Sequence, residues 1–101
     1  YAIAALARGE ACTCTPHGNS MRPRIESGAT VSLRPLASPD EPAVGDAVLV
    51  RVHGNTYLHL VKAIRGAGEN VQYQIGSARG SLNGWASRAG IYGIVTDVKQ
   101  P

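Results

Sequence analysis

The sequence has no phenylalanine, only two cysteines, and charged residues at only 17% of its 101 positions. Two cysteines cannot build the disulfide framework that holds small secreted domains together. No apolar run approaches the ~20 residues that a transmembrane helix needs, so we expect no membrane span in this chain. Hydrophobic residues make up 44%, and a chain of this length can bury a core of its own. The composition therefore predicts one folded domain over residues 1–101.

The positive charge is small and dispersed. Ten Lys and Arg against seven Asp and Glu give a net charge of +3, and eight of the ten are Arg spread along the chain. A surface that follows phosphates needs clustered basic residues with aromatic side chains between them. We therefore expect no nucleic acid to bind through this domain.

The two cysteines, Cys12 and Cys14, lie two positions apart. On a strand both would point to one face, where a disulfide between them would be badly strained, so free thiols are expected. With His17 they could instead begin a metal site. A structural zinc site needs four ligands, however, and neither His53 nor His59 has ligand spacing. We expect no metal and no cofactor.

Short alternating segments bounded by glycine and proline are typical of an all-β fold, and the chain has 12 Gly and 6 Pro. A short helix is predicted over residues 1–8, since Ala and Leu favour helix and Gly9 follows at a suitable C-terminal position. Loops are predicted at 36–44, which includes Pro39 and Pro42, and at 76–84. Strands are predicted at 10–15, 29–34, 47–52, 57–64, 71–75 and 90–98.

The third and fourth predicted strands read as a hairpin with Gly54 and Asn55 as its two-residue turn. In that register Ala47 pairs with Lys62. Because side chains alternate between faces, Lys62 would then share an apolar face with Leu60, while valines fill the opposite face. Alternatively, Lys62 is a strand-end lysine whose ammonium reaches solvent over Leu60.

Residues 18–23, Gly-Asn-Ser-Met-Arg-Pro, form a loop after the first predicted strand. Gly18 allows close approach of a ligand to the backbone, and Pro23 disfavours helix at the residue before it. The loop would present Ser20 outward as a candidate nucleophile. The alternative is an ordinary turn.

A serine hydroxyl needs a base to remove its proton. An ordinary lysine is protonated at neutral pH, but burial in an apolar site lowers the pKa of a lysine by several units and makes it a competent general base. The expected surroundings of Lys62 are of that kind. Ser20 and Lys62 are therefore a candidate catalytic pair.

Three blocks, residues 18–23, 44–50 (Val-Gly-Asp-Ala-Val-Leu-Val) and 60–65 (Leu-Val-Lys-Ala-Ile-Arg), agree in order and type with one family. The chain resembles the signal peptidase and LexA superfamily of Ser-Lys dyad serine peptidases. The resemblance implies a fold of coiled, meandering sheets. It implies Ser20 as nucleophile and Lys62 as general base, with backbone N–H groups at Ser20 and Asn19 forming an oxyanion hole.

In that family a further hydroxyl can orient the lysine, and Ser81 is the candidate, with Ser77 and Ser87 as rivals and ordinary loop serines as the alternative. The segment after the serine carries Gly28-Ala29 where the family usually has Gly-Asp. No Ala-Gly or Cys-Gly pair, the self-cleavage site of LexA-like repressors, precedes Ser20.

The resemblance implies a serine endopeptidase that cleaves a peptide or protein substrate after a small residue through an acyl-enzyme. The alternative is a catalytically idle LexA-like domain that serves in dimerisation or partner binding. A homodimer is compatible with both.

Overall fold

A computed structural model describes residues 2–36 and 41–101. Its main elements, in chain order, are helix α1 (Ala2–Ala7) and strands β1 (Cys12–Cys14), β2 (Thr30–Pro35), β3 (Ala47–Val52), β4 (Asn55–Arg65), β5 (Gln72–Gly76), β6 (Leu82–Ser87) and β7 (Ile91–Lys99). Short 3-10 turns at Gly68–Asn70 and Arg88–Gly90 precede β5 and β7. The strands form one antiparallel sheet in the order β1-β2-β7-β3-β4-β5-β6. The predicted all-β fold with a short N-terminal helix is confirmed.

Helix α1 packs on the sheet through Leu6. The helix ends as predicted, with Gly9 at φ +80° and its N–H donating to the carbonyl of Leu6 at 3.0 Å. A Cβ on Gly93 of β7 would lie 2.7 Å from the backbone carbonyl oxygen of Arg34 and 2.9 Å from the Leu6 methyl carbons, so glycine allows this close packing. Among the described residues, no helix has the length and apolar character to cross a membrane.

Alternating side chains divide the buried residues into two clusters. The leucine-rich core comprises Leu6, Met21, Ile25, Ala29, Val31, Leu33, Ala47 and Leu60. The valine-rich core comprises Val48, Val50, Val52, Val61, Tyr73, Ile75, Ala86 and Ile91. Strand β3 contributes to both clusters, as its nearly continuous apolar run predicts, and is hydrogen-bonded on both edges, to β4 and β7.

The β3–β4 hairpin differs from the predicted register by two residues. Its turn residues are His53 (φ +50°) and Gly54 (φ +84°), and Val52 pairs with Asn55. A two-residue turn with positive φ at both positions favours Gly at the second, which explains why His-Gly rather than Gly-Asn forms it. Ala47 consequently pairs with Leu60 and not with Lys62. A shift of two leaves each side chain on its predicted face.

Strand β6 was not predicted. The pattern favoured a loop over 76–84, because Ser, Asn and Gly are poor strand formers. The segment is extended because it pairs with β5 at the sheet edge, with Trp85 opposite Gln74. The predicted loop at 36–44 falls partly outside the described residues, since positions 37–40, including Pro39, are not among them.

Tyr73 connects the valine-rich core to the segment before β3. Its ring is 1% exposed, and its hydroxyl donates a hydrogen bond to Glu41 Oε2 at 2.6 Å. Burial, reinforced by this hydrogen bond and the nearby carboxylate, raises the pKa of Tyr73 to about 12.

Candidate active site

The loop that carries Ser20 is folded against residues further along the chain. The carbonyl of Pro16 accepts the N–H of Gly28 at 2.9 Å, and the N–H of Gly18 donates to Ser27 Oγ at 3.0 Å. Gly18 has φ +117°, which side chains rarely tolerate. Ser20 is exposed in this loop, as the sequence predicts.

Ser20 is hydrogen-bonded to a histidine. Ser20 Oγ and His59 Nε2 are 3.1 Å apart, and His59 Nδ1 and Asn83 Oδ1 are 2.6 Å apart. In the tautomer with its proton on Nδ1, the ring donates to Asn83 and accepts from the Ser20 hydroxyl. His59 is only 8% exposed, so these contacts largely replace water at its two nitrogens. The three side chains form the serine, base and orienting group arrangement of serine hydrolases.

Strand β4 places His59 beside the loop. His59 pairs with Val48 of β3 and lies two residues from Tyr57 and from Val61, on the face that packs into the valine-rich core. The rings of Tyr57 and His59 are stacked, with centroids 5.0 Å apart and an interplanar angle of 22°. The imidazole is therefore held at both nitrogens and against one face.

A β-bulge places Asn83. Ile75 pairs with Gly84 and Gly76 pairs with Leu82, which leaves Asn83 as an extra residue of β6. Such bulges turn a side chain out of the regular alternation and are common beside active sites. Here the extra residue is Asn83, and its amide side chain is hydrogen-bonded to His59.

A second bulge contains Lys62. Val61 and Ala63 pair with consecutive residues of β5, so Lys62 is the extra residue of β4. A Cβ on Gly76 would lie 3.1 Å from Lys62 Cγ, which places the lysine stem against that glycine. Within the part of the chain that the structure describes, the Lys62 side chain forms no hydrogen bond or ion pair. The structure therefore shows no hydrogen bond between Lys62 and Ser20, and the side chain within hydrogen-bond distance of Ser20 Oγ is that of His59.

The three candidate lysine-orienting serines have other surroundings. Ser77 is 3% exposed, and its Oγ accepts the N–H groups of Arg79 at 3.2 Å and Ser81 at 3.0 Å. Ser77 therefore stabilises the turn between β5 and β6. The backbone of Ser81 lies beside Gly76, like the Lys62 stem, whereas Ser87 is exposed at the end of β6. None of the three hydroxyls bonds to Lys62.

The two backbone N–H groups expected to form an oxyanion hole are both available as donors. The carbonyl of Ser20 accepts the N–H of Ala78 at 2.9 Å, and the carbonyl of Asn19 accepts the N–H of Arg22 at 3.2 Å. No described residue accepts a hydrogen bond from the N–H of Ser20 or of Asn19. These N–H groups can donate to an oxyanion, the role that the family resemblance implies for them.

A cleft of about 180 Å³ adjoins the hydroxyl of Ser20. Its deeper part is apolar, since Met21 and Ile25 are buried, and an ion pair of 2.8 Å between Arg22 and Glu26 lies nearby. This volume is smaller than that of a typical drug-sized site. Besides Ser20 and His59, the cleft is lined by Pro16, His17, Gly18, Met21, Ile25, Glu26, Thr56, Tyr57 and Leu58.

The cysteines are both free, on β1, and half-buried. Burial, and secondarily the neighbouring Cys12, raises the pKa of the Cys14 thiol. In residues 2–36 and 41–101, no three His, Cys, Asp or Glu side chains are grouped to hold a metal ion. The alternative of a metal site at Cys12, Cys14 and His17 therefore has no cluster to support it.

Sequence reasoning missed His59 and Asn83 as site residues. His59 had a usable signal, because it falls on a predicted strand face with Tyr57 and several valines, where a buried imidazole needs polar partners. Asn83 had none, since Asn-Gly is typical of turns and the strand around it was not predicted.

No protein-family model, no curated protein and no solved structure matches the chain. The chain is an all-β domain in which hydrogen bonds join Ser20 to His59 and His59 to Asn83 beside a cleft of about 180 Å³.

Proposed function

We propose that this protein is a serine peptidase that cleaves a peptide bond through an acyl-enzyme on Ser20, in the manner of the signal peptidase and LexA superfamily that its sequence resembles. The observation that supports the proposal is the continuous hydrogen-bond chain from Ser20 through His59 to Asn83, with separations of 3.1 and 2.6 Å. Its members lie 39 and 24 residues apart in sequence, so the fold assembles them.

The chemistry follows from the roles of these atoms. Ser20 Oγ attacks the scissile carbonyl while His59 Nε2 takes the hydroxyl proton. His59 then gives that proton to the leaving amine. In the second step His59 removes a proton from water, which attacks the ester, and His59 returns the proton to Ser20 Oγ. The amide oxygen of Asn83 keeps the Nδ1 proton in place, so that Nε2 stays available as the base. The N–H of Ser20 donates to the oxyanion of the tetrahedral intermediate.

This assignment gives the base role to His59, whereas the sequence resemblance gives it to Lys62. Geometry decides between two candidate bases first, since a base must reach the proton that it removes. His59 is within hydrogen-bond distance of Ser20 Oγ, and the structure shows no hydrogen bond from Lys62. A dyad of Ser20 and Lys62 stays a prediction that the paired variants in the Discussion test.

Strand β4 offers the substrate an unpaired edge beside Ser20. On the β3 side, the N–H of Val61 donates to the carbonyl of Asp46, and the carbonyl of Val61 accepts the N–H of Gly45, both at 2.9 Å. Backbone groups alternate in direction along a strand, so those of Thr56 and Leu58 point away from β3. Pairing with β5 begins only at Leu60, and no described residue pairs with the two upstream positions on that side. An extended peptide can add to this edge and place its scissile bond at Ser20.

The test is covalent labelling of the folded protein with a fluorophosphonate probe. We expect one adduct by intact mass, located on Ser20 by peptide mapping and absent from Ser20→Ala and from denatured protein. Ser87→Ala, which removes an exposed serine at the end of β6, is the matched control and should label normally. A peptide mixture should then show cleavage after small residues. Absence of any adduct on folded protein would reject the peptidase and favour the idle dimerisation or binding domain.

A further inference from the structure

Tyr57 is the third contact of the His59 ring, after Ser20 and Asn83. The two aromatic rings are stacked, with centroids 5.0 Å apart and 22° between their planes. Tyr57 lies two residues before His59 on β4, so both side chains leave the strand on one face. The ring of Tyr57 also packs against the valine-rich core, so the strand and the core together support it.

The two hydrogen bonds of His59 restrain its ring but do not alone fix the ring plane. The bonds at Nδ1 and Nε2 tolerate a range of angles, within which the imidazole can twist about its Cβ–Cγ bond. Because the Nε2 lone pair lies in the ring plane, such a twist moves it out of line with the Ser20 hydroxyl. A flat ring against one face of the imidazole opposes this motion.

We propose that Tyr57 is a positioning residue that holds the plane of His59 in line with Ser20; this rests on the proposed function, in which His59 is the base. Tyr57 acts through the imidazole and makes no bond of its own to the reacting atoms. Its hydroxyl has no hydrogen-bond partner among the described residues, so the aromatic ring is the group that matters. Phenylalanine should therefore replace it, and an aliphatic side chain should not.

The experiment compares Tyr57→Leu with Tyr57→Phe, and uses Tyr92→Leu as a matched control, because Tyr92 is a half-buried tyrosine of the leucine-rich core. Loss of alignment at a catalytic base lowers turnover, so we expect kcat of Tyr57→Leu to fall roughly 10-fold or more with KM within about 2-fold. Tyr57→Phe and Tyr92→Leu should stay within about 2-fold of the parent in both parameters.

Nuclear magnetic resonance provides a readout that does not need activity. In the parent and in Tyr57→Phe, the stacked ring should shift the carbon-bound proton resonances of His59 upfield, and nitrogen shifts should report one predominant tautomer. In Tyr57→Leu the ring shift should vanish and the second tautomer should become populated. If the parent shows neither labelling nor cleavage, the proposed function fails while these spectra still test the positioning.

Three results would overturn the inference. The first is a Tyr57→Leu variant that keeps the parental kcat, or that changes KM alone, which makes Tyr57 only a wall of the cleft. The second is a Tyr57→Phe variant as impaired as Tyr57→Leu, which makes the hydroxyl the important group. The third is a single unchanged tautomer of His59 in Tyr57→Leu.

Discussion

The main-chain carbonyl of Ser20 accepts a hydrogen bond from the N–H of Ala78 at 2.9 Å. Ala78 belongs to the turn between β5 and β6 that the Ser77 hydroxyl stabilises, and Asn83 follows that turn by a few residues. One short connection therefore supports both the loop that carries Ser20 and the strand that carries Asn83, the hydrogen-bond partner of His59.

Removal of the Ser77 hydroxyl should loosen this connection. Ser77→Ala deprives two backbone N–H groups of their acceptor, so we expect a loss of about 1–2 kcal/mol in the free energy of unfolding. Labelling of Ser20 should slow as well, because the turn holds its carbonyl. Urea unfolding and probe labelling measure the two effects, with Ser87→Ala as control. Unchanged stability and labelling would show that the turn forms without this hydroxyl.

The identity of the base is tested by His59→Ala against Lys62→Met. Loss of a general base costs ~10²–10⁴-fold in rate, so His59→Ala should nearly abolish labelling of Ser20 by the fluorophosphonate. Lys62→Met keeps the aliphatic stem that packs on Gly76 and should label at close to the parental rate. Circular dichroism should confirm that both variants are folded. Slow labelling of Lys62→Met with near-parental labelling of His59→Ala would show instead that Lys62 is the base.

Asn83 should contribute through its oxygen acceptor. Asn83→Ala removes the partner of His59 Nδ1, and we expect a fall in the labelling rate of roughly 10-fold or more, because the productive tautomer is no longer favoured. Asn83→Asp keeps an oxygen acceptor at the same position and should retain most of the rate. Equal loss in both variants would mean that the amide acts through packing rather than through this hydrogen bond.

Tyr73 should make the fold sensitive to alkali. Its pKa is raised to about 12, whereas the unfolded chain releases the same proton near pH 10. Between these values the unfolded state holds fewer protons than the folded state, so stability falls as pH rises. A difference of two pKa units corresponds to a loss of up to about 3 kcal/mol in the free energy of unfolding. The Tyr73→Phe variant should not show this loss.

The measurement is urea unfolding at intervals between pH 9 and 12. The comparison uses the slope of the free energy of unfolding against pH rather than its absolute value, because Tyr73→Phe also loses the hydrogen bond to Glu41 at neutral pH. Tyr92→Phe is the control and should keep the parental slope. Parallel curves for the parent and Tyr73→Phe would contradict the prediction.

The sequence predicted most of the strands and the exposure of the serine. A nearly continuous apolar run identified β3, and the period of two along a strand predicted the face that each of its residues occupies, because both are local properties of the chain. The loop that exposes Ser20 was likewise predicted from Gly18 and Pro23, whereas its hydrogen bonds to Ser27 and Gly28 were not. Strand β6 could not be predicted, since Ser, Asn and Gly there favour a loop and only pairing with β5 keeps the segment extended.

By itself the sequence determined an all-β domain, its two apolar faces and an exposed serine after the first strand. Only the tertiary structure decided which side chain Ser20 Oγ meets. Ser20 and His59 are 39 residues apart, and His59 and Asn83 are 24 residues apart, so no local pattern in the sequence brings them together. A shift of two residues preserves the hydrophobic periodicity, so the periodicity could not determine the register that pairs His59 with Val48.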